Sequence, residues 1–157
     1  MNAPRKSLMR KRASRLAAVQ ALYSEALIEK KTLPSLLAAQ LLESWADSKT
    51  NATMDYSDAP QPEAALLNTL IDASQFHAEA IEAAIEALIL PGWTKLRMSL
   101  PLLACLRCFG AEALAYPDRA PAMLIDEYTQ VASQLITDEE LNFAHKAFNM
   151  LVDALRR

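Results

Sequence analysis

Glycine, cysteine and long apolar runs are scarce in this 157-residue sequence. With only two glycines, the chain has no glycine-rich loop of the kind that cradles phosphates. Its only two cysteines, Cys105 and Cys108, argue against a secreted scaffold built on disulfides. No stretch reaches the roughly 20 apolar residues that a membrane span needs, and the N-terminus lacks the apolar run of a signal peptide. We therefore expect a cytoplasmic protein with no membrane partner.

Acidic residues are missing from residues 1–15, the basic N-terminal segment. This segment holds six basic side chains, whereas the other 142 residues hold 10 basic and 19 acidic ones. Such asymmetry is typical of a segment that faces nucleic acid or a membrane surface. A membrane surface fits less well, because the sequence that follows is rich in alanine and carries Tyr23 as its only aromatic residue before residue 30. An ordinary solvated chain end is the simpler alternative.

Apolar residues recur at helical spacing along most of the chain. Leu16, Val19, Tyr23 and Leu27 form a stripe that predicts an amphipathic helix over about residues 8–29. Similar patterns predict helices after residue 34, over 63–90, from 99 to 115, over 122–135, and from a T-x-x-E capping box at 137–140 to the end. Residues 48–62 are polar and predict a loop. We therefore expect an all-α bundle of six or seven helices, forming one domain over residues 1–157.

Residues with catalytic or metal-binding chemistry are few and badly spaced for it. Cys105 and Cys108 match C-x-x-C, but they lie in an apolar helical pattern without the second pair that a structural zinc site needs. Two thiols packed as small hydrophobic groups explain them better. His77 and His145 stand far apart and outside any zinc-type spacing. The sequence therefore predicts no enzyme activity, no metal and no cofactor.

The basic side chains at the start of the first helix form the strongest candidate for a binding site. Arg12 and Arg15 are three residues apart and share a helical face, with Arg10 and Lys11 about one turn earlier. A folded cationic ridge would hold several donors in register for phosphates. Up to six contacts on single-stranded RNA would give a salt slope near −4, from roughly −0.7 per phosphate.

Several stretches resemble the NusB family of bacterial transcription antitermination factors, in the family's own order. RASRLAAVQALYSEAL resembles its opening helix, residues 65–98 its central helices and Trp-containing turn, CLRCFGAEAL its leucine-arginine helix, and MLIDEYTQVASQL the start of its penultimate helix. The resemblance covers nearly all of the chain except the 48–62 loop. It implies an all-helical fold of two small helical subdomains without catalytic activity. It also implies pairing with NusE, a small-subunit ribosomal protein, and binding of single-stranded boxA RNA within an RNA polymerase antitermination complex on ribosomal RNA genes.

The resemblance also assigns site residues. The implied RNA-binding residues are Arg10, Lys11, Arg12, Arg15, Gln20, Phe143 and Lys146, and the implied NusE-binding residues are Tyr23 and Leu102. Phe143 would stack on a base, but it and Tyr23 also suit packing in a core. Lys146 stands where the family has glycine, and would add a phosphate contact. Leu102 stands where the family often has an acidic residue that faces NusE.

Three readings stay open at this point. An antitermination factor is favoured by the intact basic helix. A diverged protein-interaction module with weak or nonspecific RNA binding is favoured by the departures at Leu102, His145 and Lys146. The RNA-recognition domain of a ribosomal RNA methyltransferase would need a cofactor-binding domain, for which this sequence has no room. Some family members self-associate and mask their RNA surface, and the sequence leaves a homodimer open.

Overall fold

The computed structural model describes residues 3–28, 36, 38–43, 61–88 and 97–157. Six helices have bounds in these ranges: α1 Ala3–Ile28, α2 Ala64–Phe76, α3 Ala78–Glu86, α4 Leu100–Ala115, α5 Pro121–Ser133 and α6 Asp138–Leu155. Residues 38–43 are helical too, and the described ranges contain no strand. The all-α prediction is confirmed. The predicted 48–62 loop lies outside the described residues except for its last two positions.

Helix α1 differs from its prediction at its start and on its buried face. It begins at Ala3, about five residues early, so the basic N-terminal segment is itself helical. Leu27 is 58% exposed, and Leu16 and Tyr23 are only partly buried. The buried face is built mainly from alanines, at positions 13, 17, 18 and 21. Of the predicted stripe, Val19 is fully buried, and Leu16 and Tyr23 pack against the core. Counting only large apolar residues missed the alanines that complete this face.

The region predicted to be helical over 63–90 contains two helices. His77, with φ −100° and ψ 17°, both ends α2 and begins α3. The apolar positions predicted for this region are nevertheless in the core, since Leu66, Leu67, Leu70 and Ile71 of α2 are at most 4% exposed.

Helix α4 is the central element, and it packs against α1, α2, α3, α5 and α6. It begins as predicted at Ser99, whose hydroxyl accepts a hydrogen bond from the backbone N–H of Leu102 at 3.3 Å. Gly110 marks its closest crossings: a Cβ there would lie 3.2 Å from Ile81 Cγ1 and 3.3 Å from Leu155 Cδ1. A glycine is therefore used where α3 and α6 press against α4.

Helix α6 begins at the predicted cap. The Thr137 hydroxyl accepts a hydrogen bond from the Glu140 backbone N–H at 3.2 Å. The Glu140 carboxylate accepts a 2.6 Å hydrogen bond from the Ser99 hydroxyl. The start of α6 is thus tied to the start of α4.

Both cysteines are buried in α4, as predicted, and both are free thiols. Burial raises the pKa of Cys105 to about 12, and burial also raises the pKa of Cys108. The Cys108 sulfur lies 3.3 Å from the Tyr128 hydroxyl. These thiols act as small core residues.

Candidate nucleic-acid interface

The basic N-terminal segment extends beyond the packed core. Lys6 and Arg10 are exposed and Lys11 is partly exposed, whereas continuous burial along α1 begins at Ala13. Arg10 Nε donates a hydrogen bond to the Gln61 carbonyl at 3.2 Å, in an exposed setting. Several cations therefore project from the first three turns of a helix whose remainder is held in the core.

Arg12 sits at the boundary between the exposed and packed parts of α1. Its guanidinium donates two hydrogen bonds to the Glu127 carboxylate of α5, at 2.7 Å from Nε and 3.1 Å from Nη2. The Arg12 side chain is 39% exposed and that of Glu127 is 5% exposed. The hydrogen bonds to Glu127 raise the pKa of Arg12. The Arg12 guanidinium thus bonds to Glu127, while part of the side chain stays open to solvent.

Arg15 is not on the surface. Its side chain is 2% exposed, and its Nε and Nη2 donate to the two carboxylate oxygens of Glu112 in α4, each at 2.8 Å. Its Nη1 lies 3.6 Å from Glu127 Oε2. The structure contradicts the prediction that Arg15 contacts RNA, because its side chain is buried between α1 and α4, with Nε and Nη2 bonded to Glu112.

Glu112 is the centre of this buried charge network. Besides Arg15, it accepts hydrogen bonds from Arg119 Nη1 at 2.7 Å and from the Tyr128 hydroxyl at 2.8 Å. Burial by itself raises the pKa of Glu112, but the hydrogen bonds and the charge of Arg15, with those of Tyr128 and Arg119, outweigh it and lower the pKa. Burial acts to lower the pKa of Arg15, and its carboxylate partners raise it overall. Both groups therefore stay ionised inside the core.

Ser14 anchors the same turn of α1 from another direction. Its hydroxyl accepts a 2.6 Å hydrogen bond from the Glu63 backbone N–H, at the start of α2, and lies 2.9 Å from the Arg10 carbonyl. The turn that carries Arg12 and Arg15 is thereby fastened to α2, α4 and α5 together.

Two further predicted contacts are also corrected by burial. Leu102 is 0% exposed in the first turns of α4, so it is a core residue and offers no surface to NusE. Phe143 is 4% exposed and shares a helical face with the buried Ala147 and Leu151. Phe143 is therefore a core residue, which was the alternative to stacking, and no face of its ring is open for stacking on a base.

The other predicted residues lie at the surface but are not all brought together. Gln20 is exposed on α1, Tyr23 is partly buried against the core, and Lys146 is exposed on α6. The main packing partners of α6 are α3, α4 and α5, whereas α1 packs mainly on α4 and α2. Lys146 therefore stands on a helix that is not among the main packing partners of α1.

Sequence reasoning missed the carboxylates that hold the two arginines. Both lie inside apolar patterns, Glu112 in CLRCFGAEAL and Glu127 in MLIDEY. A charged residue at a core-facing helical position needs a buried partner. The sequence did contain a signal for these ion pairs: two such glutamates, and two arginines three residues apart on another helix.

Within the described ranges, none of the helices combines the length and the apolarity that crossing a membrane requires.

Comparisons with known proteins give one consistent answer. A model of the NusB family matches residues 12–144. The chain is 32% identical over 146 residues to the transcription antitermination protein NusB of Sphingopyxis alaskensis, covering 91% of this chain and 89% of that protein. It is 25% identical over 147 residues to that of Hyphomonas neptunium, covering 94% and 92%. A solved structure of T. maritima NusB has the same fold, with a TM-score of 0.67 at 21% identity and with 91% of this chain and 90% of that one covered.

The family match begins at Arg12 and covers the rest of α1, the whole of α4 and α5, and the first turns of α6, whereas the cations Lys6, Arg10 and Lys11 precede it. With a matching family model over most of its length, and a relative of more than 30% identity along nearly all of it, this chain belongs to the NusB family.

Proposed function

We propose that this chain is a transcription antitermination factor that binds boxA-type single-stranded RNA together with the ribosomal protein NusE, and that it acts by binding, without catalysis. Its relatives from Sphingopyxis alaskensis and Hyphomonas neptunium carry the name transcription antitermination protein. The partners would be RNA, NusE and the RNA polymerase antitermination complex.

The observation that carries the proposal is the exposed basic part of α1. Lys6 lies about one turn before Arg10 and Lys11, and all three precede the packed core. Each cation that neutralises a phosphate releases counterions and adds affinity without sequence preference. A helix that is fixed at Arg12, Ser14 and Arg15 holds these cations at constant spacing, as a phosphate backbone requires.

The RNA surface that we propose is smaller than the one expected from resemblance. It keeps Arg10 and Lys11 as phosphate contacts, Arg12 through its solvent-facing side, and Gln20 as a polar neighbour on α1. Lys146 would add a phosphate contact from α6 only if the RNA extends across to that helix. Charge reversal by Lys146→Glu tests this directly: a loss of affinity is expected if the strand reaches α6.

We assign NusE to the surface around Tyr23. An open groove of about 450 Å³ is lined by Leu22 and Glu25, which flank Tyr23 along α1, and by Leu100 and Arg107 of α4. Tyr23 presents a polar hydroxyl on a partly buried ring, a combination that is frequent in protein interfaces.

Transcription read-through tests the proposed function. A template carrying boxA ahead of a terminator would be transcribed with RNA polymerase, NusE and the other antitermination proteins of the source organism, with and without this chain. The proposal predicts more read-through when the chain is present, and no gain on a template with a scrambled boxA.

The alternative is a protein-interaction module whose RNA binding is nonspecific. Equal read-through on both templates, together with retained binding of NusE, would favour it.

A further inference from the structure

We propose that Glu127 is a positioning residue for RNA binding: by holding Arg12, it fixes the direction of the basic N-terminal segment, and it contacts no RNA itself. This inference rests on the proposed function, and it adds a residue to which neither resemblance nor motif assigned a role in binding.

The geometry of the Arg12–Glu127 contact suits this role. Glu127 is 5% exposed, and its two oxygens accept from two different nitrogens of the same guanidinium, at 2.7 and 3.1 Å. A two-point contact between planar groups fixes orientation as well as distance. Glu127 Oε2 also lies 3.6 Å from the buried Arg15 Nη1, so the carboxylate is itself anchored on the core side.

Arg12 lies where the packed part of α1 begins, so its contact with Glu127 affects the direction of the residues before it. Core packing along α1 starts at Ala13, and the residues before it depend on side-chain ties. On the α2 side one such tie is the exposed bond from Arg10 to the Gln61 carbonyl. On the α5 side another is the Arg12–Glu127 pair. Cations that are held in place lose less conformational freedom when they engage several phosphates at once, and this preserves affinity.

Charge repulsion alone predicts the opposite effect of a Glu127 substitution on RNA affinity. A carboxylate beside an RNA surface repels phosphate, so neutralising it should strengthen binding. If Glu127 positions the helix, neutralising it should weaken binding instead. Asp126 offers a matched control, because it precedes Glu127 on α5, is exposed, and accepts a bond from Gln130 Nε2 at 3.2 Å.

The experiment measures affinity for a boxA RNA and a scrambled RNA, at one salt concentration, for five chains. These are the unmodified chain, Glu127→Gln, Asp126→Asn, Arg12→Gln and the double variant Arg12→Gln/Glu127→Gln. We expect Glu127→Gln to weaken boxA binding about fivefold and Arg12→Gln to weaken it further, because Arg12→Gln also removes a phosphate contact. The double variant should be no weaker than Arg12→Gln, since the Arg12–Glu127 contact is lost in both. Asp126→Asn should bind as well as the unmodified chain or better.

Arg12→Lys separates positioning from direct phosphate contact. Lysine keeps the charge that meets phosphate but loses the planar fork that pairs with Glu127, so it should weaken binding about as much as Glu127→Gln and less than Arg12→Gln. Circular dichroism and the urea midpoint establish that each variant is folded. If Glu127→Gln fails to fold, the comparison of Arg12→Lys with the unmodified chain decides the question at the more exposed partner.

Two kinds of failure are distinguishable. If the unmodified chain binds boxA and scrambled RNA equally, the proposed function and this inference fall together. If it prefers boxA while Glu127→Gln binds as tightly as Asp126→Asn, or while Arg12→Lys keeps full affinity, only the positioning role is overturned.

Discussion

Arg15 and Glu112 face each other inside the protein, with both guanidinium–carboxylate hydrogen bonds at 2.8 Å and side chains only 2% and 0% exposed. The pair joins α1 to α4 where the sequence had suggested a ridge for RNA. Arg15, although it belongs to the basic N-terminal segment, therefore stabilises the fold. The segment thus has an exposed part before Arg12 and a structural part after it.

Removing one member of the buried pair should be costly. Arg15→Ala leaves Glu112 buried without the two hydrogen bonds from Arg15, and we expect the free energy of unfolding to fall by about 3 kcal/mol or more. Arg157→Ala is the control, because its ion pair with Asp153 has side chains 77% and 73% exposed and should change stability by only about 0.5 kcal/mol or less. Urea denaturation measures both. Equal effects from the two substitutions would contradict the structural role of Arg15.

Lowering the pH should reduce the free energy of unfolding, because it protonates Glu112. The folded state lowers the pKa of Glu112 from its usual 4.5, so this carboxylate adds stability above about pH 4.5, and the contribution is lost as pH falls through the folded-state pKa. Urea denaturation between about pH 6 and pH 3 should therefore show a steeper loss of stability for the unmodified chain than for Glu112→Gln. Parallel curves for the two proteins would show that Glu112 does not contribute in this way.

The two thiols should be unreactive until the chain opens. With a pKa of about 12, Cys105 carries almost no thiolate near neutral pH, and both sulfurs are buried. A disulfide-exchange reagent should label neither cysteine rapidly in the folded protein, and should label both at once after urea is added. The reduced, unfolded chain provides the calibration. Fast labelling of the native protein would mean that α4 is not closed as described.

The salt dependence of RNA binding should distinguish the exposed cations that contact phosphate from cations elsewhere on the protein. Arg10→Gln and Lys11→Gln should each reduce the slope of log K against log salt concentration by about 0.7, since each removes one phosphate contact. Arg157→Gln makes the same charge change at the other end of the chain and should leave the slope unchanged. If all three substitutions lower the slope alike, the RNA is attracted by overall charge and has no defined path along α1.

The helices could be predicted because local signals set them. Ser99 and Thr137 cap α4 and α6 as expected, and the apolar positions of α2 enter the core. Composition alone, poor in glycine and β-branched residues, favours helix. The break at His77 was missed because no proline or glycine marks it.

The site was harder to predict because its residues meet only in the folded chain. Arg12 and Glu127 are 115 positions apart, and Arg15 and Glu112 are 97 apart. Arg156, at the other end of the chain, donates to the backbone carbonyls of Ala113, Tyr116 and Arg119 at 2.7–3.0 Å, and no local pattern announces it. Spacing along one helix showed that Arg12 and Arg15 share a face. Whether that face meets RNA or another helix depends on tertiary packing.

The most direct test of the central claim is a titration of boxA RNA and a scrambled control, each with and without NusE. The account predicts tighter binding to boxA than to the scramble, and a larger preference when NusE is present. Equal affinities that NusE does not change would contradict it, and the exposed part of α1 would then be a general electrostatic patch.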